Sequence, residues 1–126
     1  MAPQATFVKV ANIKPDSSQL NTIVKVVSSE IRLQCLGQPG RNFADVVVGD
    51  ETGIVVLRAQ GDYAQLCIPG AALVVRGARV EMFEGRIRLE LGRWSRLSPI
   101  EASAAAFLTP NTARDISATD FALMSM

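Results

Sequence analysis

The side chains of this sequence best equipped for chemistry are its arginines. Arg76, Arg79, Arg86, Arg88, Arg93 and Arg96 all fall within residues 70–98, against Glu81, Glu84 and Glu90. A planar guanidinium grips a phosphate through paired N–H donors or lies flat on a ring, and a lysine ammonium does neither well. The competing reading is a solvated face, with the interleaved glutamates forming cross-strand pairs worth about 0.2–1 kcal/mol each. The whole chain carries 13 basic and 12 acidic residues, a net charge of +1. That excludes a polycation acting by bulk charge and leaves a local basic patch open.

Catalysis and metal binding find little support. Histidine is absent, which removes His-dependent triads, His general bases and most zinc sites. Asp50 and Glu51 are adjacent, so their side chains diverge, and turn chemistry accounts for Asp50. Gly37-Gln-Pro-Gly40 lacks the Lys and Ser/Thr of a phosphate-cradling loop. Ser28-Ser29 has no basic partner to activate it. No cofactor, metal or enzymatic activity is expected. Cys35 and Cys67 fit no CxxC pattern. They allow one disulfide, but a core of this size does not need it, and they read as reduced thiols behaving as small buried hydrophobes. No apolar run approaches the ~20 residues of a membrane span. The N-terminus lacks the basic and apolar regions of a secretory signal. A soluble protein of the cytoplasm or nucleus is expected.

The elements that position the arginines are strands. With 126 residues and 48% hydrophobic content, the chain suits one domain with one core. Residues 20–34 are rich in β-branched side chains and long enough for a bent strand. Residues 43–48 and 54–59 flank Gly49-Asp-Glu-Thr-Gly53, which predicts a hairpin whose Gly and Asp supply unusual backbone angles. Tyr63–Leu66 makes at most one helical turn before Pro69-Gly70. Residues 73–83 form a long strand with a bulge or bend at Gly77. Glu84-Gly85 turns the chain into residues 86–91, where Ile87, Leu89 and Leu91 alternate strictly with Arg86, Arg88 and Glu90. Five strands with a short helix between the third and fourth predict an all-β OB-fold barrel, with SH3-like barrels and sandwiches as alternatives. The barrel is assigned to residues 1–98 and a C-terminal extension packed on it to residues 99–126. Phe107, Ile116, Phe121, Leu123 and Met124 supply the extension's apolar contacts.

Certain segments also resemble a known family. They are residues 22–29 (Thr-Ile-Val-Lys-Val-Val-Ser-Ser), Gly49–Gly53, Pro69-Gly70 and Val80-Glu-Met-Phe-Glu-Gly-Arg-Ile-Arg-Leu89. In their order and spacing they are similar to small single-domain OB-fold proteins related to replication protein A. The nearest groups are plant-type OB-fold nucleic-acid-binding proteins and the B subunits of the sensor-of-single-stranded-DNA complex. The resemblance runs from Thr6 through Trp94. It implies non-catalytic binding of single-stranded nucleic acid, DNA favoured over RNA, across the second and third strands and the loops joining strands one to two and four to five. Guanine-rich or quadruplex ligands fall within the same expectation. Phe83 matches an aromatic that stacks on a base. Gln60, Arg79 and Glu90 stand where the B subunits carry further aromatics, so three of four stacking positions differ.

The resulting candidate interface is Phe83, Arg86, Arg88, Arg79, Arg58, Arg41, Phe43 and Trp94. Base stacking on an aromatic contributes about 1–3 kcal/mol. Phe83 either stacks or caps the barrel end. Phe43 either stacks or covers the tail, and Trp94 either stacks or seals a barrel mouth. Arg58, Arg79, Arg86 and Arg88 face outward and either hold phosphates or pair with glutamates. Arg41 lies in a Gly-rich loop, and Lys25 points outward on the first strand. The alternative function is a protein-docking adaptor or a homodimer. It is motivated by outward-register Ile23 and Val27 on the first strand and Ile54 and Val56 on the third.

Overall fold

Alternation of apolar and polar residues closes a sheet into a ring when each strand has one face to hide. In the computed structural model, which describes residues 7–15, 19–33, 42–83, 85–92, 94–101 and 108–118, this happens with five strands. They are β1 (Leu20–Leu33), β2 (Asn42–Asp50), β3 (Gly53–Gln60), β4 (Ala72–Phe83) and β5 (Arg86–Glu90). The neighbour order is β1-β2-β3-β5-β4, and β4 pairs back onto β1 to complete the ring. Only β3 and β5 run parallel; the other pairs are antiparallel. A short helix, α1 (Asp62–Leu66), lies between β3 and β4. This is the OB-fold barrel expected from the strand spacing.

Alternate residues fill the interior. Val24 and Val26 of β1 meet Val46 and Val48 of β2, Val55 and Leu57 of β3, Leu73 and Val75 of β4, and Ile87 and Leu89 of β5. Burial of a side chain of this size contributes about 1.5–3 kcal/mol. Since the period is two, the same alternation sends Arg58, Arg79, Arg86 and Arg88 outward. Two irregularities bend the ring. One is a register shift in β1 between Val26 and Ser28. The other lies opposite Gly77 of β4, which adopts φ +67°, a conformation that favours glycine.

A strand not read from the sequence, β6 (Arg96–Pro99), adds to the outer side of β4 along Leu73–Arg76 and buries Leu97. Four residues are too few for alternation to stand out. The paired sheet therefore continues one residue beyond the 98/99 boundary, and the Ile100 N–H still bonds the Ala72 carbonyl at 3.0 Å. Tyr63 on α1 packs against the core and donates to the Ser95 carbonyl at 3.4 Å, tying the helix to the β5–β6 connection.

The β2–β3 hairpin is a junction. Asp50 is fully buried, and its carboxylate accepts from Val10 N–H at 3.0 Å, from Thr52 N–H at 2.8 Å and from the Thr52 hydroxyl. Thr52 Oγ1 in turn accepts from Ala11 N–H at 3.0 Å, so a 3-10 turn at Val10–Asn12 is clipped to the hairpin. Glu51 points away and pairs with Lys9 on the surface. Turn chemistry explains only part of Asp50: its carboxylate also holds a segment 40 residues away. Gly49 and Gly53 do not supply left-handed backbone angles, contrary to the expectation for this turn. They supply room. A Cβ on Gly49 would lie 2.5 Å from the Gly53 carbonyl, and one on Gly53 would lie 2.8 Å from the Arg114 carbonyl.

That carbonyl belongs to the C-terminal segment, which packs on the barrel through residues 108–118. Asn111 N–H donates to Asp50 O, and Ile54 N–H donates to Arg114 O, each at 2.8 Å. Val56 N–H donates to Ser117 Oγ at 2.8 Å, and Ile116 is buried. The apolar strip expected outward on β3 is therefore covered: Ile54 is buried and Val56 half-buried. On β1, Ile23 is exposed and Val27, at the bulge, is half-buried. Phe107, Phe121, Leu123 and Met124 lie outside the described residues. No helix among the described residues is long and apolar enough to cross a membrane.

Two predictions follow from the packing. Asp50→Ala strands the main-chain donors of Val10 and Thr52, so urea unfolding should show a loss of about 2–4 kcal/mol. Asp50→Asn, which keeps an acceptor oxygen, should lose less. An Asp50→Ala protein with an unchanged midpoint would refute the junction. The second concerns Cys67, a free thiol whose pKa burial pushes from 9.0 up to about 11. The folded state favours the neutral thiol, so this group's share of stability is complete below pH 9 and is lost as pH climbs towards 11. In a Cys35→Ser background at pH 8, the thiolate fraction falls roughly 100-fold against an ordinary thiol. Alkylation should be slow in the native protein and fast in urea.

Candidate nucleic-acid interface

Where β2, β3, β5 and β4 lie side by side, their outward residues form rows across the sheet. One row runs Asp45, Arg58, Glu90, Arg79, because Asp45 opposes Arg58, Arg58 opposes Glu90, and Glu90 opposes Arg79. Acid and base alternate along it. The next positions on β5 and β4 oppose Arg88 to Glu81 and then Arg86 to Phe83. The sequence places these residues on one face; only the strand order β3-β5-β4 makes them lateral neighbours.

The charges in the middle of this face hold one another. Arg58 Nε lies 3.4 Å from Asp45 Oδ1, and its Nη1 lies 4.0 Å from Glu90 Oε1. Arg88 Nη2 reaches the same Glu90 oxygen at 3.4 Å. The Arg58, Arg88 and Glu90 side chains are only 22%, 19% and 20% exposed. Carboxylates therefore fix Arg58 and Arg88 close against the sheet, and a phosphate must compete with Glu90 for them. At the edge the balance differs. Arg79 meets Glu81 at 3.8 Å but is 57% exposed, a geometry of little net worth that leaves the guanidinium accessible. Arg86 is exposed and has no carboxylate partner among the described residues.

Phe43 is half-buried at the start of β2 and opposes Gln60. The Arg58 guanidinium lies 4.3 Å from its ring centroid, a cation–π contact. The ring and the Arg58 guanidinium form a composite surface, with Arg58 held in place by Asp45. Phe83 falls opposite Arg86 by register. Its side chain, like Arg41 and Arg93, lies outside the described residues. Lys25 opposes Gly49 on β1 and is half-buried, away from this face.

Trp94 does not seal a barrel mouth. It is 75% exposed and lines a shallow cleft of about 240 Å³ with Gln19, Gly77, Arg79, Gly92 and Ser95. Gly92 matters here through its missing side chain: a Cβ would lie 3.2 Å from Arg79 Nε, so the guanidinium settles over the bare backbone. Ser95 is buried and pins the cleft wall, its hydroxyl donating to Gly77 O and accepting from Gly92 N–H, each at 2.7 Å. Sequence reasoning missed the pairing of Arg76 with Arg96, which only β6 creates. A polar/apolar alternation at Arg96-Leu97-Ser98 was the one available signal. Among the described residues, no three His, Cys, Asp or Glu side chains are grouped as a metal site would need.

Comparison with known proteins agrees with this architecture. An uncharacterized protein of Arabidopsis thaliana is 32% identical over 132 residues, covering 95% of this chain and 84% of the relative. The single-stranded DNA binding protein Ssb of Saccharolobus solfataricus is 31% identical over 100 residues, covering 79% of this chain and 66% of that protein. The solution structure of a hypothetical protein from Arabidopsis thaliana superposes with a TM-score of 0.77 at 30% identity, covering 96% of this chain and 89% of that one. The family model for single-stranded DNA binding protein Ssb-like OB folds matches residues 13–99, from the end of the N-terminal turn to the last residue of β6. With its ring of five strands and this match over more than half its length, the chain belongs to the single-stranded DNA binding protein Ssb-like, OB-fold family.

Proposed function

We propose that the outward face of β2, β3, β5 and β4 binds single-stranded nucleic acid without catalysis, DNA in preference to RNA. Bases stack on the Phe43–Arg58 surface and on Phe83, and phosphates meet Arg79 and Arg86. The observation that carries this reading is the Arg58 guanidinium held on the Phe43 ring by Asp45 and Glu90. That arrangement offers a flat, desolvated, cationic surface matching a base face. Arg58 and Arg88 act chiefly as framework, and the more exposed Arg79 and Arg86 act as phosphate donors. Arg41 extends the interface from the β1–β2 loop. The likeness to the Saccharolobus solfataricus protein named for binding single-stranded DNA supports DNA as the ligand.

Fluorescence anisotropy with matched DNA and RNA oligonucleotides, one of them guanine-rich, tests the reading across a salt series. Log K should fall with log salt by about 0.7 per neutralised phosphate. Arg86→Ala should flatten that slope by about one contact, and Arg88→Ala, whose charge is already met by Glu90, by less. Absence of saturable binding at ~50 mM salt, where such contacts are strong, would overturn the proposal.

Glu90 supplies a prediction of the opposite sign. Glu90→Gln releases Arg88 from competition and leaves Arg58 with Asp45 alone, so affinity should rise roughly 3- to 10-fold at low salt and the salt slope should steepen. Unchanged or weaker binding by a folded Glu90→Gln protein would show that these arginines do not sense the ligand.

A further inference from the structure

Beyond this face, the barrel carries cations in an arrangement that stability alone does not favour. Arg76 of β4 and Arg96 of β6 are directly opposed in the antiparallel ladder, a geometry that sets Cα atoms about 4.5–5.5 Å apart. Like charges in that position repel. Both side chains are exposed, and neither has a carboxylate partner among the described residues. Arg76 lies 5.2 Å from the Phe7 ring centroid, and Arg96 donates to the Ser95 carbonyl at 3.4 Å. On the neighbouring face, by contrast, Arg58, Arg79 and Arg88 each have a carboxylate within 4.0 Å. An uncompensated arginine pair is suited to an anion brought from outside.

Trp94 and Arg79 connect the two regions. Arg79 ends the charge row of the β2–β3–β5–β4 face and also lines the cleft that holds Trp94. Arg96 follows Trp94 by two residues. Gly77, between Arg76 and Arg79, bends β4 so that its first half pairs with β1 and β6 and its second half with β5. Cation, aromatic and cation pair thus follow one another around that bend.

We propose that a bound single strand continues from Arg79 across Trp94 to a second phosphate site formed by Arg76 and Arg96. The inference rests on the function proposed above and extends its footprint. OB folds engage about 4–16 nucleotides, so a path reaching around the bend belongs to the longer end of that range.

Oligothymidylates of 6 and 15 nucleotides test it on the full chain. Trp94 is the only tryptophan, so intrinsic fluorescence reports this segment alone. The 15-mer should quench it markedly and the 6-mer much less. Arg76→Glu/Arg96→Glu keeps a like-charge pair in the ladder, and melting curves will show that it folds. This variant should bind the 6-mer as the parent does and the 15-mer about 10- to 100-fold more weakly. Its 15-mer salt slope should be lower by about 1.4, two single-strand contacts. Should the charge reversal fail to fold, Arg76→Gln/Arg96→Gln serves, with the same direction and a smaller effect. Equal 15-mer binding by parent and variant, with Trp94 emission unchanged at saturation, would overturn the extended path and leave the first face intact. Binding that is lost in Arg76→Glu/Arg96→Glu for both lengths but unaffected by Arg79→Ala/Arg86→Ala would overturn the first face and leave only the arginine pair. No binding of either length by the parent chain removes both. Loss of a protein partner but not of oligonucleotide binding in the double variant would assign the pair to an acidic protein surface and overturn the strand path.

Discussion

A buried carboxylate at a hairpin organises much of this molecule. Asp50 has no access to water, so its charge requires internal donors. It obtains them from its own turn and from the Val10–Asn12 segment. The main-chain carbonyl of the same residue receives Asn111 N–H from the C-terminal side. Both ends of the described chain are therefore fastened at one corner of the barrel. The glycines flanking Asp50 let backbone approach where a Cβ would collide. The β3 surface beside them is covered by residues 114–117, which keeps Ile54 from water and leaves the charged half of the sheet as the face this segment does not cover.

That open face is governed by a second constraint, the pairing of charges in rows. In a barrel with strand order β3-β5-β4, residues distant in sequence become lateral neighbours, and here they alternate in sign from Asp45 to Arg79. The alternation holds long side chains flat and so limits the rotamers open to them. It also divides the arginines into two kinds. Those in the middle are held by Asp45 and Glu90; those at the margin are more exposed. Charge counted along the chain does not show this division, because exposure and partner decide whether a guanidinium is available.

The bend at Gly77 gives the barrel its asymmetry. A positive φ there lets β4 serve two neighbours on its outer side, β6 and then β5. The turn between those two strands carries Trp94 out into solvent while Ser95 is locked inside by two hydrogen bonds. An exposed indole beside a guanidinium thus sits next to a serine whose buried hydroxyl ties the connection to Gly77 and Gly92.

The sequence by itself determined the five barrel strands and their inward and outward faces, because side-chain direction in a strand follows a period of two that needs no tertiary information. Ile87 and Leu89 inside with Arg86 and Arg88 outside follows from adjacent positions, and so does the bend at Gly77, since glycine in a long strand marks a bulge. Tertiary structure decided everything that depends on which strands are neighbours and what covers them. Asp50 read as a turn residue because its donors at Val10 and Asn111 are remote in sequence. Ile54 and Val56 read as outward because the segment that hides them lies some 60 residues on. For Arg58 and Arg88 the sequence left phosphate binding and carboxylate pairing both open, since Asp45 and Glu90 reach them only through inter-strand register. The opposition of Arg76 and Arg96 was hidden for the same reason. A cross-strand contact is a property of two segments and their alignment, and local sequence records only one of the two.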